Sequence, residues 1–276
     1  MTSTTGSGTQ RASGAIATRL ARAAEEDRAA LVGYWPAGFP DKATSITAIT
    51  TMIEAGVDII EVGLPYSDPV MDGPTIQTAA DRALSAGIRV ADVFDVVEAS
   101  TDTGTPTVVM TYWNPVERFG VDAFAARLAR AGGSGLITPD LIPDEAADWL
   151  EAARLHELDP IFLVAPSSTD ERLAMTAEAT GGFIYATAVM GVTGLRSSSS
   201  QLAPVLVERT RRVTGKPIGV GLGVSNRDQA REVAAYADAV IVGSAFISCL
   251  LQTSEVSAGL DDLAALATDL RSGMQR

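Results

Sequence analysis

A single-domain (β/α)8 barrel of the TIM type, entered through an extra N-terminal helix, is the fold this sequence predicts. Three observations predict it: eight apolar, β-rich runs recur along the chain, each run ends in Gly, Pro or Asp, and amphipathic helical stretches separate them. Near-continuous apolarity marks strands buried on both faces, as in a parallel sheet covered by helices.

Taken in order, residues 1–13 are small and polar, offer nothing to bury against the entropy of ordering, and are expected as a disordered tail before a barrel domain spanning 14–276. AIATRLARAAEE, from Ala15, is a helical lead-in. The strands are LVGYWPA from Leu31, DIIEVGLP from Asp58, TVVMTYW from Thr107 and GLITPD from Gly135, then IFLVAP from Ile161, FIYATA from Phe183, PIGVGLG from Pro217 and AVIVGSA from Ala239. Helical periodicity fills the gaps, as in VDAFAARLARAG from Val121, DEAADWLEAARLH from Asp144 and NRDQAREVAAYA from Asn226, several of them opening at Asp or Asn caps. The rival architecture is a doubly wound open sheet, but its G-x-G-x-x-G turn is missing after the first strand, where the chain reads WPAGFP. In a barrel, chemistry belongs to the C-terminal strand ends.

Composition narrows the partners. With 34 Asp and Glu against 21 Lys and Arg, the formal net charge is −13 and the pI is near 4.5, which argues against nucleic acid. A phosphorylated ligand must then be held by local backbone dipoles, because the long-range field repels it. The single cysteine, Cys249, leaves no internal disulfide framework and fits a reducing, cytoplasmic compartment. No apolar run approaches the ~20 residues of a membrane span.

EVGLPYSDPVMDGPTIQ, from Glu61 to Gln77, is the most unusual segment, since it puts a carboxylate inside an apolar strand with no Lys or Arg beside it. Glu61 in a structural ion pair is the plain alternative; its place near a strand's C-terminal end favours catalysis. Desolvation there pushes a carboxyl pKa upward, toward the range in which one group can both give and take a proton. Asp72 sits in a Gly/Pro loop able to fold over the barrel mouth, and is otherwise a plain turn residue before Gly73. Late in the chain GVTG (Gly191 to Gly194), GLG (Gly221 to Gly223) and GSA (Gly243 to Ala245) end successive strands, and SAFISCLLQ reads as a short helix after the last. Free backbone N–H groups converging there suit a phosphate.

Other chemistries lack residues. His156, the only histidine, falls at a helix end away from the catalytic face; Lys42 lies in the loop after the first strand and Lys216 before the seventh. Neither a Schiff-base lysine within the barrel nor a zinc site of ordinary ligands can be assembled. A carbon–carbon cleavage here needs a substrate that carries its own electron sink.

The Glu61 to Gln77 run, with MGVTG, GLGVS and IVGSA in the same order and spacing, resembles the tryptophan synthase α subunit family over almost the whole chain from about Ala15. MTYWNP and TPDLIPDEA look like the version found in high-GC Gram-positive bacteria; Met190 stands where some relatives have a loop arginine, and Ser197 to Ser200 are expected as an unusually flexible loop. The resemblance implies cleavage of indole-3-glycerol phosphate to indole and glyceraldehyde 3-phosphate. It makes Glu61 the proton donor to indole C3 and the base for the glycerol hydroxyl, and Asp72 the acceptor of the indole N–H. It puts phosphate on Gly194, Gly223, Gly243 and Ser244, and Tyr34, Tyr112, Tyr185 and Thr193 around the indole pocket and its closing loop. It also implies an αββα complex with a β subunit docked near Asp68 and Pro69. Pyridoxal phosphate is expected only in that partner, and no cofactor in this chain. Three alternatives stay open: a stand-alone lyase with the same site, a non-catalytic barrel that only activates a partner, and a sugar-phosphate isomerase sharing the phosphate cup.

Overall fold

In the computed structural model, residues 12–187 and 196–276 are described. The chain runs α1(Ala12–Glu25), β1(Ala30–Pro36), α2(Lys42–Glu54), β2(Ile59–Gly63), α3(Pro74–Ser85), α4(Val90–Thr101), β3(Thr107–Met110), α5(Trp113–Phe119), α6(Val121–Arg130) and β4(Gly135–Ile137). It continues through a 3-10 turn at Pro143–Glu145, α7(Ala147–Leu155), β5(Asp159–Ile161), β6(Leu163–Val164), α8(Asp170–Ala179), β7(Ile184–Thr187), α9(Arg196–Val213), β8(Ile218–Gly221), α10(Arg227–Ala234), β9(Ala239–Val242), α11(Ser244–Leu251) and α12(Val256–Ser272). The expected tail lies outside the described residues up to residue 11. α1 begins at Ala12, ahead of the expected Ala15, since small residues there put no steric bar to another turn.

Every strand pairing is parallel, and the hydrogen-bonded order β5-β4-β3-β2-β1-β9-β8-β7-β6 closes on itself because β5 and β6 are one strand interrupted at Phe162. The expected fifth strand thus starts earlier than Ile161 and comes in two pieces. Its lower half pairs with β4 and its upper half with β7, and Phe162 is where it changes partner. The helix expected from Asp144 begins instead at Ala147, after a 3-10 turn that Pro143 opens.

The period-2 alternation of the strands separates two cores. Outward residues pack beneath the helices in one large cluster. Inward residues such as Val32, Ile59, Val108, Ile137, Ile161 and Phe183 fill the barrel itself, and Ile16, Leu20 and Ala23 of α1 join them, so the extra helix plugs the N-terminal mouth. This leaves the C-terminal mouth as the open end.

A buried ion pair locks the plug to the barrel. Arg28 donates from Nη1 and Nη2 to Asp58 at 2.7 and 2.8 Å, both side chains are 4% exposed, and Asp58 also accepts the Leu31 amide at 2.9 Å. Removing Asp58 leaves the buried guanidinium with only the exposed Glu26 carboxylate and the Ala29 carbonyl as partners. Asp58→Ala is expected to destabilise the protein by about 3–5 kcal/mol. Urea denaturation followed by circular dichroism tests this, and a loss under about 1 kcal/mol contradicts the lock.

Candidate active site

The site is the uppermost inward layer of the barrel. Tyr34 on β1 and Glu61 on β2 are register partners, so their side chains leave neighbouring strands in the same direction. Met110, Leu163, Tyr185 and Ile241 continue the layer around the wall. Glu61 therefore occupies a slot that barrel packing otherwise gives to an apolar side chain. It is 1% exposed, and among the described residues its Oε2 has no hydrogen-bond partner and no cation pairs with it.

That placement fixes its chemistry. Burial first, and the charge of Asp72 second, push the Glu61 pKa up to about 8. Asp72 is raised as well by burial, but the Tyr112 hydroxyl pulls it back down. Negative charge therefore settles on Asp72 first, which helps to keep Glu61 protonated at neutral pH. Tyr34 and Tyr185 are held neutral by burial and by the same two carboxylates.

Glu61 and Asp72 share a cavity of about 200 Å³ with Tyr34, Tyr185, Gly223, Gly243 and Ser244. Gly243 caps α11 without a side chain, so the first N–H groups of that helix have no intrahelical acceptor. Gly223 has φ +72° and nothing within 4 Å of where a Cβ would stand, so backbone conformation is what calls for glycine there. The Tyr34 ring spans the site: a Cβ at Gly63 would overlap its hydroxyl, and one at Gly243 would come to 3.1 Å from its ring.

Tyr112 stands differently from Tyr34 and Tyr185. It is not among the cavity walls, and its hydroxyl donates to Asp72 Oδ1 at 3.0 Å. Asp68 lines a separate outer cavity of about 500 Å³ with Tyr66, Asn114 and Arg118. Pro69 follows it in the same loop, and Val70 and Met71 beyond it are 80% and 45% exposed. Thr193, Gly194 and Met190 lie outside the described residues, and Ser197 to Ser200 are not the loop expected there but the first turn of α9. Sequence reasoning missed Met110, Leu163 and Ile241, although their inward parity with Glu61 was available as a signal.

The groups set aside stay away from the mouth. His156 caps α7 and meets Asp122 at 2.8 Å. Lys42 pairs with Asp92 at 3.1 Å, and Lys216 donates to the carbonyls of Ala177 and Glu178 at the end of α8.

The family model described as tryptophan synthase alpha chain matches residues 20–275. The chain belongs to the tryptophan synthase alpha chain family. Similar alpha chains come from Salinispora arenicola, 60% identical with 94% of this chain and 97% of that one covered, and from Thermobifida fusca, 57% identical with 93% and 96% covered. Among solved structures, a tryptophan synthase from Mycobacterium tuberculosis aligns with TM-score 0.89 and 55% identity, covering 95% of this chain and 98% of that one. The alpha subunit from Legionella pneumophila aligns with TM-score 0.86 at 30% identity, covering 94% and 98%. In this alpha-chain barrel, the most testable property is the neutral buried glutamic acid.

A carboxyl whose folded pKa exceeds its unfolded value favours the native state most below the unfolded value, and the advantage is lost as pH rises through the folded pKa. For Glu61 the loss runs from about 4.5 to about 8. Glu61→Gln, which needs no proton, is expected to match wild type in stability near pH 5 and to exceed it at pH 9 by about 3–5 kcal/mol. Urea titrations at both pH values check this, and a difference independent of pH rejects the assignment.

Proposed function

We propose that this chain cleaves indole-3-glycerol phosphate into indole and glyceraldehyde 3-phosphate, with Glu61 as acid and base and Asp72 as the carboxylate facing the indole N–H. The observation that carries the reading is the buried Glu61, its pKa pushed up by burial, in one cavity with Asp72 and the N-terminus of α11.

Each residue acts in turn. Glu61 gives its proton to C3 of the indole ring, which creates a ring cation with its charge on the nitrogen. Asp72, the more readily ionised carboxylate, accepts the N–H hydrogen bond and stabilises that cation. Glu61, now ionised, takes the proton from the glycerol hydroxyl next to C3. A carbonyl forms, the carbon–carbon bond breaks, and its electrons return to the ring. One proton enters and one leaves through the same carboxyl, so Glu61 ends as it began. A pKa of about 8 suits a group asked to do both near neutrality.

The amides of Gly223, Gly243 and Ser244, with the Ser244 hydroxyl, are the proposed phosphate cup, and the free N–H groups of α11 support it. Gly194 completes the cup, and Thr193 meets Asp72 when the loops close; both are assigned by resemblance. Tyr34 and Tyr185 wall the indole, with Tyr112 behind the loop. The β subunit docks against Asp68 and Pro69, a reading supported by the exposed Val70 and Met71 beside them. That partner carries the pyridoxal phosphate, receives the indole and forms the αββα complex, and the assembly works in the cytoplasm. Among the described residues no helix is long and apolar enough to cross a membrane.

Glu61→Gln is expected to lose about 100-fold to 10,000-fold in kcat while still binding substrate. Steady-state cleavage by the purified protein measures it, and retention of more than about a tenth of wild-type turnover rejects the role. Adding β subunit to the wild-type chain should raise turnover about fifty-fold. A flat titration beside a vigorous isolated enzyme points instead to a stand-alone lyase.

Ser244→Ala should weaken substrate binding by about 1 kcal/mol, because the amides remain. Gly243→Asp should weaken it far more, since it adds a carboxylate facing the phosphate and crowds Tyr34. Inhibition constants for inorganic phosphate measure both, and equal constants for wild type and Gly243→Asp reject the cup.

A further inference from the structure

The loop between β2 and α3 carries Asp72, yet it is short of contacts that would hold a carboxylate in one place. Ser67, Asp68, Val70 and Met71 are exposed, Gln77 donates from Nε2 to the Asp72 carbonyl at 2.7 Å, and two of the loop's hydrogen bonds to the rest of the barrel, among them the one that reaches the Asp72 carboxyl, fall on one side chain. That side chain is Tyr112, buried at 5% exposure at the end of the third strand. Its hydroxyl accepts from the Met71 amide at 2.9 Å and donates to Asp72 Oδ1 at 3.0 Å. A phenol has one donor and two acceptor positions, so these two bonds fix both the Val70–Met71 peptide and the Asp72 carboxyl. Asp72 Oδ2 takes no hydrogen bond among the described residues and stays available to a ligand N–H.

Tyr112 is itself braced from outside. Its ring stacks on Tyr66 with centroids 5.4 Å apart and planes inclined by 36°. Asn114 donates from Nδ2 to the Tyr66 hydroxyl at 3.2 Å. Asp140 accepts the Trp113 amide with both oxygens, at 2.9 and 3.1 Å, and so holds the peptide that follows Tyr112. Tyr66 and Asn114 also line the outer cavity that contains Asp68. A continuous set of contacts therefore runs from that surface to the carboxylate.

We propose that Tyr112 is a positioning residue whose hydroxyl seats Asp72, braced by Tyr66 and Asn114 from the surface that carries Asp68. The proposal rests on the catalytic reading of Asp72. Because the hydroxyl donates to the ionised carboxylate, it favours the charged form that the ring cation needs. Without it, Asp72 stays protonated to higher pH, and the exposed loop presents its carboxyl less often.

The experiment is a double-mutant cycle on the full chain, using steady-state cleavage of indole-3-glycerol phosphate across a pH series with Tyr112→Phe, Asp72→Asn and the double variant. Phe keeps the ring and its stacking. Tyr112→Phe is expected to lower kcat about 10-fold with little change in KM, and to move the acid limb of the rate profile to higher pH. In the Asp72→Asn background the same change should cost less than about 2-fold. Carbon-13 NMR of the Asp72 carboxyl should show a higher pKa in Tyr112→Phe, a readout independent of turnover. Asn114→Ala supplies a second arm with the phenol intact, and is expected to cost about 3-fold in kcat beside Asp72 and nothing beside Asp72→Asn. An equal cost of Tyr112→Phe in both backgrounds, or an unmoved Asp72 carboxyl pKa, overturns the proposal. If Asp72→Asn itself leaves kcat unchanged while the NMR shift appears, the catalytic reading fails and the seat stands.

Discussion

The burial of one carboxyl group inside an apolar barrel is the constraint on which the rest of this structure depends. Glu61 takes an inward position that strand alternation reserves for the core, and no cation or hydrogen-bond donor among the described residues offsets its Oε2. A carboxylate in that position costs several kcal/mol, so the group keeps its proton instead. Everything else at the mouth is arranged around that neutral acid. Tyr34 and Tyr185 are large, uncharged at working pH and polar only at their tips, so they complete the layer without supplying a counter-charge. Asp72 bears the negative charge at the rim, where loop and solvent tolerate it, and that charge further favours the protonated form of Glu61.

This division explains why two carboxyl groups in one cavity of about 200 Å³ do different work. The difference lies in what surrounds each of them. Glu61 is carried by a strand, within a wall that cannot relax toward it. Asp72 is carried by a loop and meets a phenol that donates to it. Rigid placement suits a group proposed to give a proton to one substrate atom and take one from its neighbour, while a loop suits a group whose position a partner can adjust. The proposed phosphate end asks for neither acid nor base, and there the chain offers glycine backbone and a helix terminus, which an acidic protein can supply without altering its net charge.

The opposite end of the barrel is built for permanence. α1 fills the lower opening with Ile16, Leu20 and Ala23, and the Arg28–Asp58 pair fastens its exit to the base of β2. A plugged base and an open mouth follow the general division of barrels into a stability face and an activity face.

Local sequence determined the fold class, the strand sites and the two carboxylates, because each has a local signature: apolar runs closed by Gly or Pro, and an ionisable group inside such a run. The cap at Asn226 was legible for the same reason. The sequence did not reveal the interruption at Phe162, where one strand changes neighbours, since pairing partners leave no mark on the strand itself. The extent of the cavity wall was equally hidden: Met110, Leu163 and Ile241 look like any core residues until barrel closure brings their strands around Glu61. Tyr112 was legible only as an aromatic near a strand end, and its bonds to Met71 and Asp72 join positions about 40 residues apart in sequence. What sequence alone determined is the set of residue types and their periodicity, which fix local conformation and inward or outward parity. Only the tertiary structure decided which of them meet, because desolvation of Glu61 and the seat of Asp72 arise from neighbours supplied by other strands.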